Sequence, residues 1–164
     1  VDLASKMKED IEFSDPVSNE ELKGYALRLG ADCPFFIDNV PSFASGVGEE
    51  LIPVNIDLKG HHLVVVKADV FVSTSEAFSG VTPKPSDFSL VDEIQKPLSD
   101  WRLKNDFEDS IFEHHPKLLA LKNTLTEAGA IYTSMSGSGS SIYGLFSSKP
   151  PLSFNDEAVF YQQL

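Results

Sequence analysis

Met135-Ser136-Gly137-Ser138-Gly139-Ser140-Ser141 is the stretch on which the fold turns. Before it, Ala130-Ile131-Tyr132-Thr133 predicts a short strand; after it, Ser141-Ile142-Tyr143-Gly144-Leu145-Phe146 predicts another. In the second strand Ile142, Gly144 and Phe146 share one face and Tyr143 and Leu145 the other, because strand side chains alternate. Alternating glycine and small hydroxyl residues join the two in a tight hairpin whose backbone can be approached closely. Taken alone, the run is an ordinary turn. It gains meaning only with a second patch elsewhere in the chain.

Upstream of the hairpin, Pro116 predicts the first turn of a helix with Leu118, Leu121, Leu125 and Ala128 as its core stripe and Gly129 as its stop. Asn105 with Glu108 predicts another helix start, carrying Phe107, Ile111 and Phe112. Leu90, Ile94, Leu98 and Trp101 keep roughly helical spacing, with Pro97 as a break, and residues 79–89 read as loop. Ser73 and Glu76 make a capping box for a short helix through Phe78. Residues 61–68 predict a buried strand, which Val70-Phe71-Val72 extends or follows with a new one.

Nearer the start, Ser42–Ala44 and Glu50–Val54 predict two short strands around Gly46-Val47-Gly48. Ser18 and Glu21 make a capping box for a helix with a stripe of Leu22, Tyr25, Ala26 and Leu29, stopped at Gly30. Leu3, Met7 and Ile11, four apart, predict the tail of an earlier helix, which Ser14-Asp15-Pro16 breaks. Beyond the hairpin, residues 147–151 are irregular and 158–161 predict a last strand. The sum is an α+β chain: antiparallel sheet with helices on one side.

Composition narrows the function. Among 164 residues, 25 acidic against 13 basic give a net charge of −12, which opposes binding to nucleic acid or anionic lipid. A small phosphorylated ligand stays possible, because a few amides outweigh the global field locally. The single cysteine, Cys33, allows no internal disulfide, which fits a reducing cytoplasm, and it reads as a small buried residue. No apolar run approaches the roughly 18 residues of a membrane span. His61-His62 and His114-His115 lack a third ligand at metal spacing, so no metal site is expected. The chain opens on Val1 in mid-pattern, as part of a longer chain would.

Asp32 stands out in Gly30-Ala-Asp-Cys-Pro-Phe-Phe-Ile37, one acid between a helix stop and an apolar run. Pro34 pushes Cys33 out of helical geometry, so Asp32 is expected in a turn entering a strand. A carboxylate in such company is either bonded to backbone amides or kept for chemistry, and the pattern alone leaves both open.

The Asp32 segment, Ala44-Ser-Gly-Val-Gly-Glu49 after it, and Met135-Ser-Gly-Ser-Gly-Ser140 resemble the motifs of the GHMP small-molecule kinases, in order and spacing. Val72-Ser-Thr-Ser-Glu76 and Asn105-Asp-Phe-Glu108 are also similar to segments of that family. The resemblance covers about residues 18–147. It implies ATP-dependent phosphorylation of the 2-hydroxyl of a cytidine diphosphate-linked methylerythritol, with Mg²⁺ beside the ATP. It implies a ferredoxin-like C-terminal domain over 59–164 and a remnant of the N-terminal domain over 1–58. It also makes Asp32 the catalytic carboxylate at the reacting hydroxyl. Gly137, Ser138, Gly139 and Ser140 become the nucleotide-binding hairpin, with ligand contact and plain turn chemistry both open. Phe78 falls where the family stacks an aromatic on cytosine; a core phenylalanine is the competing view.

The family's main phosphate loop and its upstream lysine have no counterpart in the sequence, which reads as beginning just after that loop. Such a chain alone is expected to transfer little phosphate and to expose strand faces at Phe35, Ile37 and Phe43. Two alternatives stay open: another GHMP kinase of homoserine or mevalonate type, and a non-catalytic module that kept the fold.

Overall fold

The computed structural model describes residues 17–151 and 158–164. The expected helix over 1–13 lies outside them. The chain divides into two compact units, Val1–Ile56 and Asp57–Leu164.

In the first unit, helix α1 (Asn19–Leu27) starts at Ser18. The Ser18 hydroxyl accepts from the Glu21 amide at 3.2 Å, and the Glu21 carboxylate accepts from the Ser18 amide at 3.0 Å. Such a cap stabilises a helix by about 1 kcal/mol. The expected stripe is mostly uncovered: Ala26 alone is buried, whereas Tyr25 and Leu29 are exposed. Phe35-Phe36-Ile37 forms no strand but a helical turn, α2 (Phe35–Asp38), ended by Asn39 in the left-handed region at φ 50°. Pro34 explains the difference, since its φ of −58° already suits a first helical turn. Lys23 of α1 pairs with Asp38 of α2 at 2.7 Å. Strands β1 (Ser42–Ser45) and β2 (Glu50–Pro53) pair antiparallel about the Gly46-Val47-Gly48 turn. Phe35, Ile37 and Phe43, expected on exposed strand faces, are partly buried, whereas Phe36, Val40, Val47 and Ile52 are exposed.

The second unit is a four-stranded antiparallel sheet with helices. Strand β3 (His62–Lys67) is followed by α3 (Thr74–Ser79), α4 (Leu90–Glu93), α5 (Glu108–His114) and α6 (Pro116–Glu127). Strands β4 (Tyr132–Met135), β5 (Ser141–Phe146) and β6 (Ala158–Gln163) complete it in the order β4-β5-β3-β6. Val64 and Val66 of β3 and Ile142 and Phe146 of β5 pack with Ile111 of α5 and Leu118, Leu121 and Leu125 of α6 in one core. The 3.6-residue stripe and the two-residue alternation thus meet face to face, as the sequence predicts.

Three local expectations shift. Val70-Phe71-Val72 is irregular: on both sides of β3 the pairing ends opposite Lys67, at Ser141 and at Ala158, and residues 70–72 have no ladder partner among the described residues. Strand β4 starts at Tyr132 rather than Ala130: Gly129 turns at φ 92°, and the Ala130 amide is spent on the Leu125 carbonyl, closing α6. Asn105 does not cap α5, whose first flanking residue is Phe107. The loop between α3 and α5 is tied by buried Glu93, which accepts from Arg102 and Lys96.

Candidate functional site

Within the first unit, Asp32 sits in the turn between α1 and α2, where the Cys33 amide donates to the Gly30 carbonyl at 3.1 Å. Its side chain is exposed and has no hydrogen-bond or ion-pair partner among the described residues. The backbone-capping role is therefore unfilled, and the carboxylate is free to accept from a ligand. It borders an open cleft of about 230 Å³ with Phe35, Phe36, Ala44, Gly48 and Leu51. Gly48, at φ 116°, lets the β1–β2 turn come against Ala31 and Asp32. A mostly apolar lining with one carboxylate that no protein group occupies is an arrangement that can orient a ligand hydroxyl.

Within the second unit, the glycine hairpin is a turn in which the Gly139 amide donates to the Ser136 carbonyl at 3.0 Å and the Ser136 amide to the Ser141 carbonyl at 2.9 Å. Gly137 and Gly139 have φ of 54° and 95°, conformations that glycine adopts without strain. The amides of Gly137 and Ser138 have no partner among the described residues. Ser138 is half-buried, its hydroxyl unbonded. Ser140 is buried, and its hydroxyl is already engaged, accepting from Lys67 Nζ at 2.9 Å and donating to the Ala68 carbonyl at 3.4 Å. Of the four hairpin residues named from sequence, Gly137 and Ser138 thus keep donors free, Gly139 supplies the bend and Ser140 anchors the loop.

Phe78 is 65% exposed on α3, so it is not a core side chain. Its ring meets Phe107 edge to face, centroids 4.9 Å apart. The Phe107 amide donates to Asn105 Oδ1 at 3.0 Å, and Asn105 Nδ2 donates to the Gly137 carbonyl at 2.8 Å. Phe78 and the hairpin are thereby linked through Phe107 and Asn105.

The sequence reading missed Lys67 at the foot of the hairpin, and it took Asn105 and Glu108 for a helix start. Their spacing was the visible signal; what they bond to was not. Among the described residues no group of three His, Cys, Asp or Glu could hold a metal ion, and no helix is long and apolar enough to cross a membrane.

Residues 89–153 match the family described as GHMP kinases C terminal. The 4-diphosphocytidyl-2-C-methyl-D-erythritol kinase of Bacteroides thetaiotaomicron is 48% identical over 136 residues, which are 82% of this chain and 50% of that protein. The kinase of the same name from Parabacteroides distasonis is 49% identical over 143 residues, 86% of this chain and 52% of the relative. The chain spans about half the length of the curated relatives it matches. A crystal structure of 4-(cytidine 5'-diphospho)-2C-methyl-D-erythritol kinase superposes with a TM-score of 0.65 at 27% identity, covering 87% of this chain and 52% of that one. A homoserine kinase structure from Cytophaga hutchinsonii, at 15% identity and a TM-score of 0.56, shares the fold over 83% of this chain and 50% of its own.

Proposed function

We propose, from the match of residues 89–153 to the GHMP kinase C-terminal family, that the chain belongs to that family and is part of an ATP-dependent kinase acting on 4-diphosphocytidyl-2-C-methyl-D-erythritol. The product would be the 2-phosphate, a precursor in non-mevalonate isoprenoid synthesis in the cytoplasm. The observation that carries this reading is Asp32: an exposed carboxylate with no partner among the described residues, beside an apolar-walled cleft. Relatives of that name at 48 and 49% identity support the choice of substrate.

Asp32 accepts a hydrogen bond from the 2-hydroxyl, aims an oxygen lone pair at phosphorus and takes the proton as the new P–O bond forms. If the transition state is loose, orientation matters more than early deprotonation. ATP, when bound, supplies the γ-phosphoryl group. The free amides of Gly137 and Ser138 suit an anionic oxygen of the nucleotide, since they lack other partners. Mg²⁺, when bound, would supply charge neutralisation at the phosphates; among the described residues no group of three His, Cys, Asp or Glu could hold it. The exposed ring of Phe78 stacks on the cytosine.

Coupled ATP-consumption assays on the complete kinase and on the 164-residue chain test this. The complete enzyme should turn over the cytidylyl substrate and not homoserine, and the chain alone should stay at background. Preference for homoserine, or robust turnover by the chain alone, overturns the reading.

A further inference from the structure

Met135 ends β4, the edge strand of the sheet, and its register partner on β5 is Ile142. The ladder bond beside this pair runs from the Ser136 amide to the Ser141 carbonyl, so the N–H and C=O of Met135 point outward, away from β5. A further strand would normally satisfy such groups. Here two side chains do it. Glu108 Oε1 accepts from the Met135 amide at 2.7 Å, and Asn105 Nδ2 donates to the Met135 carbonyl at 2.8 Å. Glu108 is buried; its other oxygen accepts from Lys122 Nζ at 2.5 Å, and the Ser134 hydroxyl donates to Oε1 at 3.2 Å.

Asn105 goes one step further than an edge strand could. Its Nδ2 also donates to the Gly137 carbonyl at 2.8 Å, two residues into the hairpin, while its Oδ1 is fixed by the Phe107 amide. In a trans peptide the C=O and the following N–H point in opposite directions. Holding the Gly137 carbonyl therefore aims the Ser138 N–H away from Asn105, and that amide has no partner among the described residues. The same logic holds two peptides earlier, where the Met135 carbonyl is on Asn105 and the Ser136 N–H meets Ser141 on the opposite side.

We propose that Asn105 is a positioning residue for phosphoryl transfer: it fixes the Gly137–Ser138 peptide so that the Ser138 N–H meets an anionic oxygen of the nucleotide, with Glu108 anchoring the strand end that carries it. This rests on the kinase reading above. Neither side chain touches the reactants. An amide is required at position 105 because one group must donate twice to carbonyls and accept once from an amide, which aspartate and leucine cannot do.

Asn105→Asp keeps the acceptor for Phe107 and removes both donors; Asn105→Ala removes all three contacts without adding charge. In the 164-residue chain, amide hydrogen exchange at Ser136 and Gly139 should accelerate about tenfold or more in both variants, while Val64, Val66 and Leu125 keep wild-type rates. In the complete kinase the apparent KM for ATP should rise about tenfold or more, with kcat and the cytidylyl-substrate KM within about threefold. Unchanged hairpin exchange in both variants overturns the proposal. So does a loosened hairpin with an unchanged KM for ATP. A wild-type complete enzyme that never phosphorylates the substrate sinks the kinase reading instead, and the exchange data then still decide whether Asn105 holds the loop.

Discussion

Gly48 stands against Asp32: a Cβ added there would lie 3.4 Å from Asp32 Oδ1 and 3.3 Å from the Ala31 carbonyl oxygen. Its φ of 116° is one that residues with a Cβ rarely adopt. Gly48→Ala should therefore cost the first unit about 1–3 kcal/mol. Amide resonances of Ala31 and Asp32 should move, which two-dimensional NMR of the chain would show. Unshifted resonances and an unchanged melting temperature would mean that the turn does not support Asp32.

The clasp at Glu93 makes the second unit sensitive to acid. Arg102 donates to it from the backbone amide at 2.8 Å, Nε at 3.2 Å and Nη2 at 3.0 Å, and Lys96 adds Nζ at 2.8 Å. Arg102 first and Lys96 second hold the carboxyl at about 2, below its ordinary 4.5. A depressed carboxylate contributes stability above its unfolded value and loses it as pH falls toward the folded one. Stability should thus fall between pH 4.5 and about 2, and Glu93→Gln should flatten that limb while lowering stability at neutral pH. Identical acid limbs in circular dichroism melts of the two proteins would remove Glu93 from this role.

Phe78 exposes most of its ring and touches Phe107 only edge-on. Phe78→Ala should change stability by less than about 1 kcal/mol. Loss of a base stack worth roughly 1–3 kcal/mol should raise the KM for the cytidylyl substrate about tenfold, with that for ATP unmoved. Steady-state kinetics of the complete kinase separates the two. A large loss of stability without a KM effect would return Phe78 to a packing role.

Leu125 is wholly buried in the core, whereas Leu119, one side of α6 away, is 41% exposed. Leu125→Ala should destabilise the second unit by about 2–5 kcal/mol. Leu119→Ala should cost under about 0.5 kcal/mol. Urea unfolding of the two variants measures the contrast; equal costs would mean that the core is not where the stripe places it.

The sequence announced the fold best where period and neighbour agree. The stripe of Leu118, Leu121 and Leu125 and the alternation of Ile142, Gly144 and Phe146 face each other, so one pattern confirms the other. It misled where a single proline or a helix exit decides the backbone, as at Phe35–Ile37 and Ala130. The α1 stripe was legible as a helix but not as buried, because periodicity says which face is apolar and nothing of what covers it. For the candidate site, Asp32 and the glycines stood out in the sequence, but local chemistry left capping or catalysis, and plain turn or ligand contact, open; only the family resemblance gave them roles. The long-range bonds of Asn105 to Gly137, Glu108 to Met135 and Lys67 to Ser140 were not readable, since they join positions 27 to 73 residues apart. Only the folded register brings them together.

The most direct test of the account is Asp32→Asn in the complete kinase, which keeps size and removes the basic oxygen. The turnover number should fall by about 10²–10⁴, the range for a positioned acid–base group. ATP affinity and the hydrogen-exchange pattern of both units should stay at wild-type values. Turnover within about threefold of wild type, in a variant that binds substrate normally, would contradict the assignment of Asp32 to the reacting hydroxyl.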